Sequence, residues 1–326
     1  MGRKRPGPRR RYDAHVSEPA VTVVIVSWNT REHLVACLRS VAVAGQALPI
    51  ETIVVDNGSA DGSAEAAAAT GVQVIRNAEN RGFAAAVNQG LSVARGRHAL
   101  LLNPDARLPE RAIADLAAYL DATPDVGIVG AALRDPDGRR QQSVAEIPSL
   151  ATELLNRALL RRFHPDREAG EAPRDVPSVI GACLMARRTA IDAVGPLDEG
   201  YFVFLEETDW CVRMREKGFR VVHHPGVVVA HAQGAAKAHA PAAGWIEYTR
   251  SLYRFFRLRR SRGAYLALRV LRPLKTALNL AGNVLTLAVT LGLHARSRRK
   301  VRINTALLWW HLRGCPDSMG LRGVRP

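Results

Sequence analysis

The sequence predicts an α/β fold built on a doubly wound, mostly parallel sheet with a basic helical C-terminal appendage, and three observations carry that expectation. Short β-branched apolar runs alternate with helical periodicity four times within about eighty residues, three of those runs stop abruptly in polar clusters, and the charge turns strongly basic after residue 250. Such alternation implies right-handed crossovers and a sheet covered on both faces. The carboxyl ends of its strands then share one edge, where ligands bind.

Residues 1–18 show no periodicity and are expected to be a disordered basic tail. Val21 to Val26 reads as a buried strand that ends at Ser27-Trp28-Asn29, and Arg31 to Ala44 as a helix with Leu34, Val35, Leu38 and Val41 on one face. A second strand, Glu51 to Val55, ends in Asp56-Asn57-Gly58-Ser59 and leads to an Ala-rich helix; Val72 to Arg76 is a third. Asn80-Arg81-Gly82-Phe83 opens the helix that carries Asn88 and Gln89. The fourth strand, Ala99 to Leu102, runs into Asn103-Pro104-Asp105, where Pro104 ends ladder pairing. Asp105 is thereby delivered to the sheet rim, where a carboxylate can hold a divalent cation against a diphosphate; capping a helix near Pro109 is the competing role. Ser27 and Asn29, Asp56 to Ser59, and Asn103 with Asp105 should converge on one crevice. There Asp56 suits a nucleoside N–H or ribose hydroxyl, and Gly58 allows close backbone approach. Helix capping is the alternative for each cluster taken singly.

The second half departs from this alternation. Strands are expected at Val126–Ala131 and Ser178–Met185, a helix near Leu150–Leu160, and two short strands, Val221–His224 and Val227–His231, around Pro225-Gly226. Glu206, Glu207 and Asp209 fall in the first turn of an amphipathic helix, where the helix dipole alone favours carboxylates. The flanking Phe204 and Trp210 suit a sugar-binding wall, and one carboxylate in such a cleft can serve as general base. No GxGxxG follows the first strand and no GxxxxGK[ST] occurs, which argues against dinucleotide and P-loop chemistry. Cys37, Cys183, Cys211 and Cys315 form no CxxC pair, which suits a reducing compartment, and Val21–Val26 is too short for a signal-peptide core.

The net charge of +16 is confined to the ends: residues 1–11 and 250–326 together carry +22, leaving −6 on residues 12–249. An acidic body with basic ends argues against a nucleic-acid groove and for segments that meet an anionic membrane surface. Thr276 to His294 holds nineteen residues without a charged side chain, flanked by Arg272, Lys275 and Arg296–Lys300. Its Asn and Thr residues favour a helix lying in the membrane interface over a spanning one. A helical cap packed on the body is the alternative.

VVIVSWN (Val23–Asn29), VVDNGS (Val54–Ser59), NRGFAAAVN (Asn80–Asn88), LLNPD (Leu101–Asp105), GACLM (Gly181–Met185) and the FLEETDW segment within Gly195–Arg213 together resemble the family 2 glycosyltransferases of bacterial cell walls. The rhamnosyltransferase-like subgroup with the GT-A fold is the nearest in pattern, and the resemblance covers about residues 20–235. It implies a GT-A domain over residues 19–235, while the charge and hydropathy pattern assigns 236–326 to a basic helical, membrane-associated region. It also implies an inverting, Mg- or Mn-dependent transfer from a nucleotide-sugar donor to a glycan or lipid-linked acceptor. By that resemblance Asp56 and Asn57 meet the nucleotide, with Ser27, Asn29, Arg81 and Asn103 lining its site. Asp105 is the retained carboxylate of the family's metal motif, whose first Asp is here Asn103. Glu207 is the general base, with Asp209 as fallback beside Glu206, and Trp210 faces the acceptor. His231, twenty-four residues beyond Glu207, completes the metal set as it does in some relatives, with a structural role at the strand end as the alternative. The expected setting is the inner face of the cytoplasmic membrane, and the expected sugar is rhamnose from a deoxythymidine diphosphate donor. A protein of the same fold that binds nucleotide sugars with little turnover is the alternative, favoured by Asn103.

Overall fold

The computed structural model describes residues 18–155, 170–232 and 241–323. The expected basic tail lies almost wholly outside these residues, as does the C-terminal end, residues 156–160, of the expected helix near Leu150–Leu160. The elements run β1 (Val21–Ser27), α1 (Arg31–Ala44), β2 (Ile50–Asp56), α2 (Ser63–Ala68), β3 (Gln73–Arg76), α3 (Phe83–Val93), β4 (His98–Leu102), β5 (Ala106–Arg107), α4 (Ala112–Ala122) and β6 (Val126–Arg134). They continue with β7 (Val144–Ala145), α5 (Leu150–Leu154), β8 (Arg174–Asp175), β9 (Ser178–Val179), β10 (Cys183–Arg187), α6 (Arg188–Val194), α7 (Glu206–Glu216), β11 (Arg220–His231), α8 (Pro241–Arg259), α9 (Arg262–Val289) and α10 (Ala295–Leu312).

Nine strands form one sheet in the order β3-β2-β1-β4-β10-β6-β11-β5, with β8 added beside β11. Strands β1 to β4 are parallel, as the alternation requires, but β10 runs antiparallel between β4 and β6. Every residue of β1 and β4 is buried because both sheet faces are covered. Val23 and Ile25 pack with Leu34 and Leu38 of α1 and Leu116 of α4 on one face. Val24 and Leu101 pack with Val87 and Leu91 of α3 and Met214 of α7 on the other.

The two short strands expected around Pro225-Gly226 are one strand, β11, paired with β6 across a register break between His224 and Val228. The bulge absorbs Pro225, which has no N–H for the ladder.

The C-terminal helices are packed on the body. Leu252, Phe255 and Phe256 of α8, Leu268 of α9 and Leu307 and Trp310 of α10 build a third core with Tyr201, against which Leu205 and Val212 pack. The joint is also ionic: Asp209 of α7 is fully buried between Arg213 at 3.0 Å and Arg259 of α8 at 2.6 Å. Arg254 of α8 binds Asp198 at 2.6 Å, and the Ser251 hydroxyl donates to the Val203 carbonyl. Among the described residues no helix is long and apolar enough to cross a membrane.

Asp209 therefore ties α8 to α7. Asp209→Ala leaves two partly buried guanidinium groups without their anion and is expected to cost about 3 kcal/mol. Asp209→Asn should cost less, because one hydrogen bond survives. Urea unfolding of the three proteins checks both.

Candidate active site

The site is assembled by register. β1 pairs Ser27 with Asp56 of β2 and Ile25 with Leu102 of β4, so the three polar strand ends reach one edge together. The antiparallel β10 enters at the same edge, where the Asn103 amide donates to the carbonyl of Ala182 at 2.9 Å. Gly181, one residue earlier, lies against the Glu207 side chain: a Cβ there would sit 3.5 Å from Glu207 Cγ. Glu207 and the Asn103–Asp105 turn thus both lie against the Gly181-Ala182 backbone at one sheet edge.

At the far side of that turn β11 pairs His231 with Ala106 of β5. His231 Nε2 lies 3.2 Å from Asp105 Oδ1 and 3.3 Å from Asn103 Nδ2. Asp105 caps no helix; its carbonyl accepts the Ala232 amide. Burial would raise its carboxyl pKa, but the hydrogen bond and charge of His231 outweigh burial and hold it below the ordinary value. The other imidazole nitrogen, Nδ1, is 3.0 Å from Gln141 Oε1, while Gln141 Nε2 donates to the His231 carbonyl. An amide oxygen can only accept, so Gln141 keeps a proton on Nδ1 and leaves Nε2 directed at Asp105. No sequence signal marked Gln141, ninety residues from its partner.

Among the described residues no three His, Cys, Asp or Glu side chains converge as a metal site. Asp105 and His231, with the Asn103 amide, still fit a cation of the Mg or Mn type that takes its remaining ligands from a diphosphate. A cation bound here would take the Nε2 lone pair and the Asp105 carboxylate together, at the cost of the hydrogen bond that now joins them at 3.2 Å.

At the end of β2, Asp56 is almost wholly buried; Oδ2 accepts the Ser59 amide, and Oδ1 has no hydrogen-bond partner. A buried carboxylate oxygen without a donor marks it as an acceptor for something absent. Arg81 is exposed at the start of α3. Three other positions expected to line the nucleotide instead hold the strand ends together. The Ser27 hydroxyl is fully buried and bonds Thr30. The Asn57 carboxamide is consumed by Asn77, Asn80, Arg81 and Gly82. Asn29 remains at the rim, at φ 51°, with Oδ1 accepting the Ala60 amide. Gly58 meets a local constraint: at φ 81° a Cβ would press on the Glu79 backbone at 2.9 Å.

Glu206 and Glu207 begin α7 after a strained turn. Phe204 and Leu205 have φ of 74° and 68°, a region costly for side chains of this size. The turn is fixed from both sides: the Phe202 carbonyl accepts the Phe83 amide at 2.6 Å, and the Phe204 ring meets Tyr248 of α8 edge-on at 6.1 Å. Gly82 is needed for that approach, since a Cβ would lie 2.7 Å from the Phe202 oxygen.

The acids then separate by environment. Glu206 is buried, and burial first, then the charges of Glu207 and Glu247, push its carboxyl pKa well above the ordinary 4.5. Asp209, expected as the fallback base, is enclosed by two arginines and has no access to the crevice. Trp210 does not face an acceptor: its ring is fully buried and its indole N–H donates to the Gly195 carbonyl at 2.9 Å. Glu207 is the one acid of the three that is only half-buried.

Over 262 residues the chain is 29% identical to the N-acetylglucosaminyl-diphospho-decaprenol L-rhamnosyltransferase of Mycobacterium tuberculosis, covering 73% of this chain and 84% of that one. It is 25% identical to the dTDP-rhamnosyl transferase RfbF of Shigella flexneri over half of this chain and 53% of that protein. Among solved structures, the mannosyltransferase PcManGT of Pyrobaculum calidifontis, in complex with GDP-Man and Mn2+, aligns over 93% of this chain and 88% of its own at TM-score 0.58 and 20% identity. GalNAc-T7, solved with UDP, GalNAc and Mn2+, aligns over 74% and 48% at TM-score 0.55 and 15% identity. Both are GT-A glycosyltransferases, which identifies the fold as GT-A. The glycosyl transferase family 2 pattern matches residues 22–195, more than half of the chain, and the chain belongs to that family.

Proposed function

We propose that the protein transfers a sugar, rhamnose in the leading reading, from a nucleoside-diphosphate donor to a lipid-linked cell-wall or surface-glycan acceptor, with inversion at the anomeric carbon. The observation that carries this is the meeting of Glu207, through Gly181 and Ala182, with the Asn103–Asp105 turn and His231 at one sheet edge. The donor and acceptor classes rest on the rhamnosyltransferase relatives.

In this mechanism Glu207 takes the proton from an acceptor hydroxyl, the oxygen forms its bond to the anomeric carbon, and the nucleoside diphosphate leaves with the electron pair of the broken C–O bond. A Mg or Mn ion held by Asp105 and His231 beside Asn103 would neutralise the charge that develops on the diphosphate. Asp56 Oδ1 accepts from the nucleobase, and Arg81 lies near the phosphates. Gln141 orients His231. Glu206 is buried with its carboxyl pKa raised, which disfavours the ionised form a base needs, and Asp209 is spent on its arginines. The acceptor's lipid would place the enzyme on the inner, anionic face of the cytoplasmic membrane. Asn103, standing where a second carboxylate would strengthen metal binding, favours the second reading, a donor-binding protein with little turnover.

A panel of nucleotide sugars with Mn or Mg separates the two. Turnover of one donor is expected, with Glu207→Gln lowering kcat by about 10²–10⁴ while leaving donor affinity near normal. Asp105→Ala should weaken Mn and donor binding together in titration calorimetry. Full turnover by Glu207→Gln would remove it as base, and donor binding without turnover of any donor would favour the second reading.

Glu206 supplies a pH signature. Its folded pKa is raised, so above pH 4.5 the folded state keeps a proton that the unfolded chain has released, and stability falls as pH rises toward the folded pKa. Glu206→Gln removes that dependence. Its stabilisation over wild type should be near zero at pH 4.5 and grow by up to about 1.4 kcal/mol per pH unit above it. Melts at three pH values showing a constant difference would refute a protonated Glu206.

A further inference from the structure

The outer face of the α9–α10 hairpin is apolar. Leu274, Leu278, Leu285 and Val289 recur at spacings of four and seven, on one side of α9, and are 54–77% exposed. Leu291 and Leu293, in the turn that follows, are 86% and 79% exposed. The polar side chains of α9 are turned elsewhere. Arg272 and Lys275 grip Glu153 of α5, and Thr276 is buried. Asn283, Thr286 and Thr290 bond carbonyls of their own helix four residues back. A helix on a water-facing surface has the opposite arrangement. Residues 262–312 contain nine Lys or Arg and no acid, and Arg296, Arg298, Arg299, Lys300 and Arg302 are exposed just beyond the leucine turn.

We propose that this face docks on an anionic lipid bilayer, the leucine stripe lying at the boundary of headgroups and acyl chains and the Arg296–Arg302 cluster on the headgroup charges. Charge decides the occupant. A second copy would bring two acid-free cationic segments together, whereas an anionic lipid plane complements the cations and accepts the leucines. The helix lies on the bilayer rather than through it, since it is not apolar enough to cross. The surface deepens the reading of a lipid-linked acceptor and rests on that reading for its use, though not for its chemistry.

Flotation of the full chain with vesicles tests it. Wild type should float with phosphatidylcholine vesicles containing about one-third phosphatidylglycerol and not with phosphatidylcholine alone. Leu278→Glu/Leu285→Glu and Arg298→Glu/Arg299→Glu should each lower partitioning about tenfold or more. All four positions are exposed, so unchanged circular dichroism and donor-nucleotide binding should accompany the loss. High salt should weaken the wild type only in part, because the leucines are not screened. Wild type left at the bottom of the gradient, a leucine variant that floats normally, or a wild-type dimer in light scattering that the leucine variant abolishes would overturn the proposal. Donor hydrolysis in solution, without vesicles, reads the enzymatic proposal separately: flotation without turnover removes the transferase and leaves the surface.

Discussion

The site depends on one constraint, the parallel register that carries β1, β2 and β4 to the same edge. Ser27 lies opposite Asp56, and Ile25 opposite Leu102, so the turn beginning at Asn103 emerges level with the other two ends. A slip of one residue in β4 would put Leu100 and Leu102, now packed with the α1 and α4 side, on the opposite face of the sheet. The hydrophobic pattern therefore fixes the position of Asp105 as firmly as it fixes the core. The antiparallel β10 extends this by entering where the parallel strands leave, so Gly181 and Ala182 reach the edge from the other direction. The pairing of β11 with β5 does the same for His231.

Charge is the second organising element, and each acid near the crevice is neutralised differently. Asp105 has His231; Asp209 has Arg213 and Arg259; Glu247 has Arg250 and Arg322, yet burial still raises its carboxyl pKa. For Glu206, burial and the neighbouring carboxylates raise the pKa and so disfavour its charge. Arg250, Arg254, Arg259, Arg272 and Arg322 all come from the basic C-terminal region and engage Glu247, Asp198, Asp209 and Glu153. Much of the cationic excess is thus internal compensation for an acidic body. The boundary near residue 235 marks a change of composition, and the packing and ion pairs run across it.

The sequence disclosed the parts of this arrangement that local pattern can encode. Alternating strands and helices, polar strand ends and the acidic helix start are short-range features, and each was legible. Strand direction is not: β10 reads as an apolar run whichever way it points. Side-chain facing within one helical turn is equally hidden, because Glu207 and Asp209 lie about 200° apart on α7, one toward the crevice and one toward α8. Trp210 beside the acids suggested a sugar platform, but the core between α7 and the sheet needed a large side chain with a donor for the Gly195 carbonyl. Gln141 acts only through a partner ninety residues away, a relation no spacing rule could supply.

The strained turn before Glu206 shows what the appended helices do for the site. Two successive side-chain-bearing residues in the left-handed region cost roughly 1–3 kcal/mol each and persist only where their surroundings over-determine them. Here one anchor is the Phe83 amide of the sheet domain, while the others, Ser251 and Tyr248, belong to α8. The same α8 stacks Tyr253 on Trp310 of α10 at 6.2 Å and receives Arg269 of α9 over the Tyr253 ring at 4.9 Å. One helix therefore holds the turn that aims Glu207 on one side and seats the α9–α10 hairpin on the other. The separation between the apolar outer face and the acidic crevice is set by packed aromatic contacts, not by a flexible tether, so a surface met by the hairpin would lie at a fixed height from the carboxylate.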